Sequence, residues 1–240
     1  METKTISLII PVHNEVDVIE KVVKNYYKEV ISKIPGSEFI VAEDGSTDGT
    51  KEVLKRLAKE LPITVVSSNE RKGYSKAVWD ALKLPKNEII FFSDSDDQHS
   101  PRDFWKLMPF IDDFDIVTGY KYPRSDKAFR LFISQVMNML NFFIFGFFLR
   151  DINSGFKLFR RKALNALLEN YEGLDFISTE LLIKAFLMNI KVTEVAVLHF
   201  ERKFGESRGL PTSKLPEKIL KLLVGLMKIK LRFLLWHKLS

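Results

Sequence analysis

Asp94 and Asp96 stand two residues apart directly after the apolar run Ile89-Ile90-Phe91-Phe92-Ser93, and Asp97-Gln98-His99-Ser100-Pro101 follows them. A short run rich in β-formers reads as a strand buried on both faces. Carboxylates at the carboxyl end of such a strand point into the crevice where open α/β sheets bind ligands. The i, i+2 spacing lets both face one hard cation in a tight turn, and Pro101 suits the opening of a helix. A Mg2+ or Mn2+ site uses one or two carboxylates and leaves the remaining positions to water and phosphate oxygens. The residues therefore point to a divalent cation that holds a diphosphate. Two other readings of Asp-x-Asp stand beside this one. The first is a plain helix cap; the second is an aspartyl-phosphate phosphatase, which usually carries Thr or Val where this chain has Gln98. A calcium loop starting at Asp94 fails, because its sixth position is His99 rather than Gly and its twelfth is Trp105.

The second stretch with chemistry in it is Asp44-Gly45-Ser46-Thr47-Asp48-Gly49-Thr50. Its spacing suits a calcium loop at the early positions, but the twelfth residue is Lys55 where Glu is required. Its carboxylates fit a nucleoside better, accepting from base N–H groups or ribose hydroxyls at a strand end. Ser46 or Asp48 can cap the following helix at the same time.

The elements around these stretches alternate. Thr5 to Val12 and Glu38 to Glu43 read as strands, as do Ile63 to Ser67, the run before Asp94, and Asp115 to Gly119. Helical spacing of apolar residues runs from Val16 to Ile34, across Val53 to Leu61, and from about Ser75. Leu158-Phe159 and Lys191 to Phe200 read as later strands, with helices at about Lys162 to Asn170 and Ser178 to Met188. Strand–helix alternation with short connections predicts an α/β fold with a doubly wound, mostly parallel sheet flanked by helices. Neither a dinucleotide glycine fingerprint nor a P-loop occurs in it.

Composition adds bounds. A chain of 240 residues with 46% hydrophobic content can bury one sizeable core. The absence of cysteine rules out disulfides and thiolate metal sites. No leader pattern opens the chain, which favours the cytoplasm. From Glu201 to Ser240 there are ten Lys/Arg against three Glu, while the whole chain nets +6, so the body is nearly neutral and the tail strongly basic. Such a tail suits an anionic lipid surface as readily as nucleic acid.

Four segments carry a resemblance in this order and spacing: LIIPVHNE, VAEDGSTDGT, NERKGYSKAV and FFSDSDDQHSP. Together they resemble a family 2 glycosyltransferase of the GT-A fold. With RDINSGFKLFRR and FERKFGESR added, the chain is similar to the dolichyl-phosphate mannose synthase branch, over roughly Ile6 to Arg208. That resemblance implies transfer of a sugar, mannose or glucose, from GDP-mannose or UDP-glucose to a polyprenyl or dolichyl phosphate, and no nucleic-acid partner. It implies a nucleotide-sugar site formed by Pro11, His13, Glu15, Asp44, Lys72, Asp94, Ser95 and Asp96, with the metal on Asp94, Asp96 and Gln98. Acceptor-phosphate contacts would be Lys121, Arg124, Arg130, Ser134 and Arg202, and Asp96, Lys121 and Arg130 would carry catalysis. The chain departs from the family pattern at His13, where Tyr is common, and at Glu43, which replaces the first Asp of an Asp-Asp pair. Gly119-Tyr120-Lys121-Tyr122 replaces the usual Gly-Ser-Arg-Tyr, which keeps the cation but gives up the guanidinium fork.

Residues 1–212 would then form the catalytic domain. Within it, 131–149 carries the dense run Phe142-Phe143-Ile144-Phe145-Gly146-Phe147-Phe148-Leu149, too short an apolar stretch to span a bilayer. It reads as a core helix or as an interfacial one, and the resemblance favours the interface. Residues 213–240 place Lys214, Lys218, Lys221, Gly225, Lys228 and Arg232 on one stripe of a basic amphipathic helix, either packed on the domain or docked on a membrane. Relatives often continue into transmembrane helices, so a separate transmembrane partner belongs to the expectation. The expected place of action is peripheral, at the cytoplasmic face of the cell membrane. A lipid phosphate is anionic at neutral pH and needs cations rather than a general base. Glu180 is the candidate base for the alternative, a saccharide hydroxyl acceptor.

Overall fold

The computed structural model describes residues 4–123, 135, 138–139, 142–169, 176–201 and 223–233. Seven strands form one mixed sheet: β1 (Ile6–Val12), β2 (Glu38–Asp44), β3 (Thr64–Ser68), β4 (Ile89–Ser93), β5 (Ile116–Lys121), β6 (Phe156–Arg160) and β7 (Val192–Val197). Their order across the sheet is β3-β2-β1-β4-β6-β5-β7. Pairing is parallel except at β6, which runs antiparallel to both β4 and β5. The mostly parallel, doubly wound sheet expected from the sequence is the one observed, with this single reversed strand inserted.

Alternation along the strands divides the core between the two faces. In β1, Leu8 and Ile10 pack under the helices Ile19–Glu29 and Thr50–Glu60 through Val22, Val23, Tyr26, Leu54 and Leu57. Ile9 faces the other way, towards Val78 and Trp79 of the helix Tyr74–Ala81 and Leu181 and Leu182 of the helix Ile177–Leu187. β1 and β4 are therefore buried on both sides, which is why they read as continuous apolar runs. Strand β3 is the edge and is largely exposed.

The connection β1→β2 goes to one side of β1 and β4 lies on the other, so the carboxyl ends of β1, β2 and β4 bound a topological switch point. Apart from Lys72, which follows β3, every residue the sequence marked as reactive between Pro11 and Gln98 hangs on these three ends.

Residues 223–233 are helical, and Leu226 and Ile229 are buried in the same cluster as Trp79 and Leu181. Ile144, Phe145, Phe147 and Leu149 pack against that cluster, and Phe147 stacks on Phe186 at 4.6 Å. Of the expected 131–149 helix, residues 142–145 are helical and 147–149 are not. The described part of the tail is thus packed on the domain along one side, while Val224, Met227 and Leu231 stay exposed on another. Among the described residues no helix is long and apolar enough to cross a membrane.

Candidate active site

The loops after β1 and β2 are sewn together. The backbone N–H of Asn14 donates to Ser46 Oγ at 2.9 Å, that of Thr47 to Asn14 Oδ1 at 2.7 Å, and that of Glu15 to Thr50 Oγ1 at 2.9 Å. His13 Nδ1 lies 2.7 Å from the Asp44 carbonyl oxygen; a carbonyl only accepts, so this nitrogen carries the proton. Buried Glu43 accepts from the Ser46 backbone N–H. The unusual Glu therefore supports the loop from below.

Asp44 fixes the next loop. Its two carboxylate oxygens accept the backbone N–H groups of Lys72 at 2.8 Å and Gly73 at 3.0 Å. Gly45, at φ +63, lies so close to Glu70 and Arg71 that a Cβ would collide with their backbone. The Lys72 ammonium turns away and pairs with Asp80 at 3.1 Å, so Lys72 contributes its main chain here, while Arg71 beside it faces the cavity.

That cavity has a volume of about 270 Å3 and brings together Pro11, His13, Glu15, Asp44, Asp94, Ser95 and Asp96, seven of the eight residues expected at the nucleotide sugar. Val12, Arg71, Tyr74 and Ala77 complete its wall, and none of the four is among the residues expected at the nucleotide sugar. Tyr74 donates its hydroxyl to Asp94 Oδ1 at 2.7 Å. Burial pushes the Asp94 carboxyl up to about 6, the Asp96 charge pushes the same way, and Tyr74, Lys121 and Lys157 oppose them. Two carboxylates that repel one another in a half-buried site are what a divalent cation relieves. Among the described residues no group of three His, Cys, Asp or Glu could hold a metal. The donor set of Asp94 and Asp96 fits a Mg2+ or Mn2+ ion whose remaining ligands are phosphate oxygens and water.

Gly155 precedes β6 and touches Asp94. Its carbonyl accepts the Asp94 N–H at 3.0 Å, and a Cβ on it would overlap the Asp94 carboxylate. Lys157, two residues on, is almost wholly buried, with its ammonium on the Ser154 carbonyl oxygen. Burial lowers its pKa to about 8, against the pull of Asp151 and Asp94. Neither role is written in residue type alone: a glycine in a turn and a lysine in a strand look ordinary until the neighbouring strand is in place.

Gln98 donates its side-chain amide to the Phe200 carbonyl at 2.9 Å, and Phe200 N–H returns to the Gln98 carbonyl at 2.8 Å. Its placement ties the carboxylate loop to the end of β7. His99 lies buried between Phe156 and His199, and desolvation, reinforced by Lys121 and His199, drives its pKa well below the ordinary imidazole range.

A second cavity, about 480 Å3, opens at the end of β5 and is lined by Tyr120, Lys121, Tyr122, Arg150 and Asp151. Of the expected acceptor-phosphate residues it contains Lys121; Arg124, Arg130, Ser134 and Arg202 lie outside the described residues. Glu180 is fully buried, pairs with Lys184 at 2.7 Å, and lines neither of these cavities.

The mixed sheet with flanking helices, and the switch-point cavity with paired carboxylates at its centre, have the architecture of a GT-A-type fold. Residues 7–168 match Glycosyl transferase family 2, and the chain belongs to that family. It is 26% identical over 208 residues to undecaprenyl-phosphate 4-deoxy-4-formamido-L-arabinose transferase of Salmonella choleraesuis, covering 85% of this chain and 62% of that protein. Among solved structures, its fold is shared with glucosyl-3-phosphoglycerate synthase from Mycobacterium tuberculosis in complex with Mn2+, UDP-glucose and phosphoglyceric acid. There the TM-score is 0.72 at 22% identity, over 93% of this chain and 80% of that one. It is also shared with a mannosyltransferase from Pyrobaculum calidifontis in complex with GDP-mannose and Mn2+, at a TM-score of 0.64 and 22% identity, over 86% and 58% of the two chains.

Proposed function

We propose that this protein is a divalent-metal-dependent, inverting glycosyltransferase that moves a hexose, mannose or glucose, from a nucleotide sugar to a polyprenyl phosphate at a membrane surface. The observation that carries the reading is the convergence of seven expected donor residues on one switch-point cavity, with a cationic cavity next to it.

Asp44, His13 and Glu15 frame the nucleoside end of the first cavity, and Arg71 adds a positive wall. Asp94 and Asp96 would hold Mg2+ or Mn2+, which when bound neutralises the charge that develops on the departing diphosphate. Tyr74 and Gly155 fix the Asp94 carboxylate in place. Lys121, which acts electrostatically on Asp94, stands on the acceptor side and would orient an anionic oxygen for in-line attack on the anomeric carbon. An anionic acceptor needs no base, and among the described residues the candidate base Glu180 is occupied by Lys184 and lines neither cavity. That placement favours a lipid phosphate over a saccharide hydroxyl. The named Salmonella relative acts on undecaprenyl phosphate, which supports the same acceptor class. Arg124, Arg130, Ser134 and Arg202 would complete the phosphate contacts, and the basic tail would meet anionic lipid, with or without a separate transmembrane partner.

Incubation with a panel of nucleotide sugars and Mn2+, with and without a polyprenyl phosphate, tests the reading. Sugar should appear on the lipid phosphate. Transfer only to a saccharide hydroxyl, or no transfer with any donor, would overturn it.

A further inference from the structure

The second cavity holds two cations, and among the described residues no carboxylate ion-pairs with either the Lys121 ammonium or the Arg150 guanidinium. Arg150 is nevertheless placed. Its guanidinium lies over the Tyr120 ring, 4.6 Å from the centroid. Its backbone is clamped from β7, where Glu194 accepts the N–H groups of Arg150 at 2.9 Å and Asp151 at 3.1 Å on its two carboxylate oxygens. Asp151 also lines the cavity, and the buried Lys157 ammonium counters its charge from within the fold.

We propose that Arg150, which is not among the acceptor-phosphate residues expected from the sequence, supplies a bidentate fork to the acceptor's phosphate beside the Lys121 point charge. The proposal deepens the acceptor reading above and rests on it for the identity of the molecule that carries the phosphate. A planar guanidinium held on an aromatic face loses little freedom when it binds and presents two parallel N–H groups to two phosphate oxygens. Lysine at position 121 supplies charge without a fork. Arg150 therefore provides on a neighbouring segment the bidentate contact that the Gly-Tyr-Lys-Tyr segment cannot make. Asp151 of this cavity belongs to the same short segment as Gly155, whose carbonyl accepts the Asp94 N–H at 3.0 Å, so a phosphate held here lies on the side of the fold that carries Asp94.

The test is calorimetric titration of the full chain, loaded with Mn2+ and UDP, with farnesyl phosphate, with farnesol and with 3-phosphoglycerate. Wild type, Arg150→Ala, Arg150→Lys and Lys121→Ala are compared. A phosphorylated ligand should bind where farnesol does not, Arg150→Ala should weaken it by about ten- to a hundredfold, and Arg150→Lys should recover only part of the loss. UDP affinity, measured separately, should stay within about twofold in the Arg150 variants if the defect is confined to the acceptor side. Binding of farnesyl phosphate identifies the lipid source. Binding of 3-phosphoglycerate without binding of farnesyl phosphate would overturn the lipid reading and leave the cavity assignment standing. Wild-type protein that binds neither phosphate, or Arg150→Ala and Arg150→Lys variants that bind as wild type does, would overturn the cavity assignment itself.

Discussion

On the β1–β4 side of the sheet, three strand-end loops hold one another through buried carboxylates and backbone amides, and the cavity they enclose is small. On the β5–β7 side, a larger cavity is walled by half-buried Tyr120, exposed Tyr122 and two cations without carboxylate partners among the described residues. The β1–β4 half spends its polar side chains on fixing main chain. The β5–β7 half, the proposed acceptor side, leaves Lys121 and Arg150 without carboxylate partners among the described residues. The contrast suits a rigid, charged nucleotide sugar on one side and an anionic headgroup with a greasy tail on the other. Substitutions that separate the two halves test whether the division is real.

The largest effect should come from Asp96→Ala. It removes one of the two carboxylates that face the proposed cation, and no neighbour among the described residues supplies a third. Transfer should fall by about a thousandfold or more, with acceptor binding retained. Activity assays with Mn2+ and with chelator check this; full turnover in chelator would remove the metal from the scheme.

Gly155→Ala should rank next. The added methyl must displace the Asp94 carboxylate or the turn that carries it. A misplaced reacting group costs on the order of a hundredfold in rate, so kcat should fall by about that much. The melting temperature should change little, because the pressure falls on one side chain at the rim of the core.

The donor half should also respond to pH in a defined direction. The folded protein holds the Asp94 proton up to about pH 6, above its usual value, so this group's contribution to stability is complete below its unfolded pKa and is lost as pH rises through 6. A divalent cation opposes that loss and competes with the proton. Mn2+ together with UDP should therefore raise the melting temperature more at pH 7.5 than at pH 5, and Mn2+ affinity should fall about tenfold per pH unit below 6. Equal shifts at both pH values would show that Asp94 does not meet the metal.

Legibility followed the same division. The parallel strands β1, β2 and β4 announce themselves as double-sided apolar runs, and Asp44, Asp94 and Asp96 fall where such runs end. Adjacent residues are harder to assign: Arg71 and Lys72 are both basic, and only the turn pinned by Asp44 decides that Arg71 faces the cavity. Gly155 and Lys157 act through β6, whose reversed pairing between β4 and β5 joins segments distant in sequence. No local spacing encodes that pairing. The C-terminal stripe of Lys214 to Arg232 separates polar from apolar, but it does not say which apolar residues turn inward. Leu226 and Ile229 do so, and Val224, Met227 and Leu231 do not.

That last distinction determines how the membrane side should be probed. Deleting the tail would strip Leu226 and Ile229 from the core and confuse unfolding with loss of docking. Point changes on the exposed side avoid this. Lys230 donates to the Ile144 carbonyl at 2.6 Å, which joins the 223–233 helix to the aromatic segment. Phe143 is 74% exposed and Phe148 64%, and Lys228 and Arg232 stand exposed near Met227 and Leu231. If this surface meets lipid, Phe143→Ser and Phe148→Ser should each weaken flotation with anionic vesicles by about tenfold, since fully burying such a ring is worth at most about 1.5–3 kcal/mol. Their effect should persist in high salt, whereas Lys228→Gln with Arg232→Gln should matter only in low salt, at about 1 kcal/mol per charge. UDP binding should be unchanged in all of these variants, because none touches the β1–β4 cavity. Flotation that is insensitive to both aromatic substitutions would leave the exposed rings without a membrane role and remove the lipid half of the comparison.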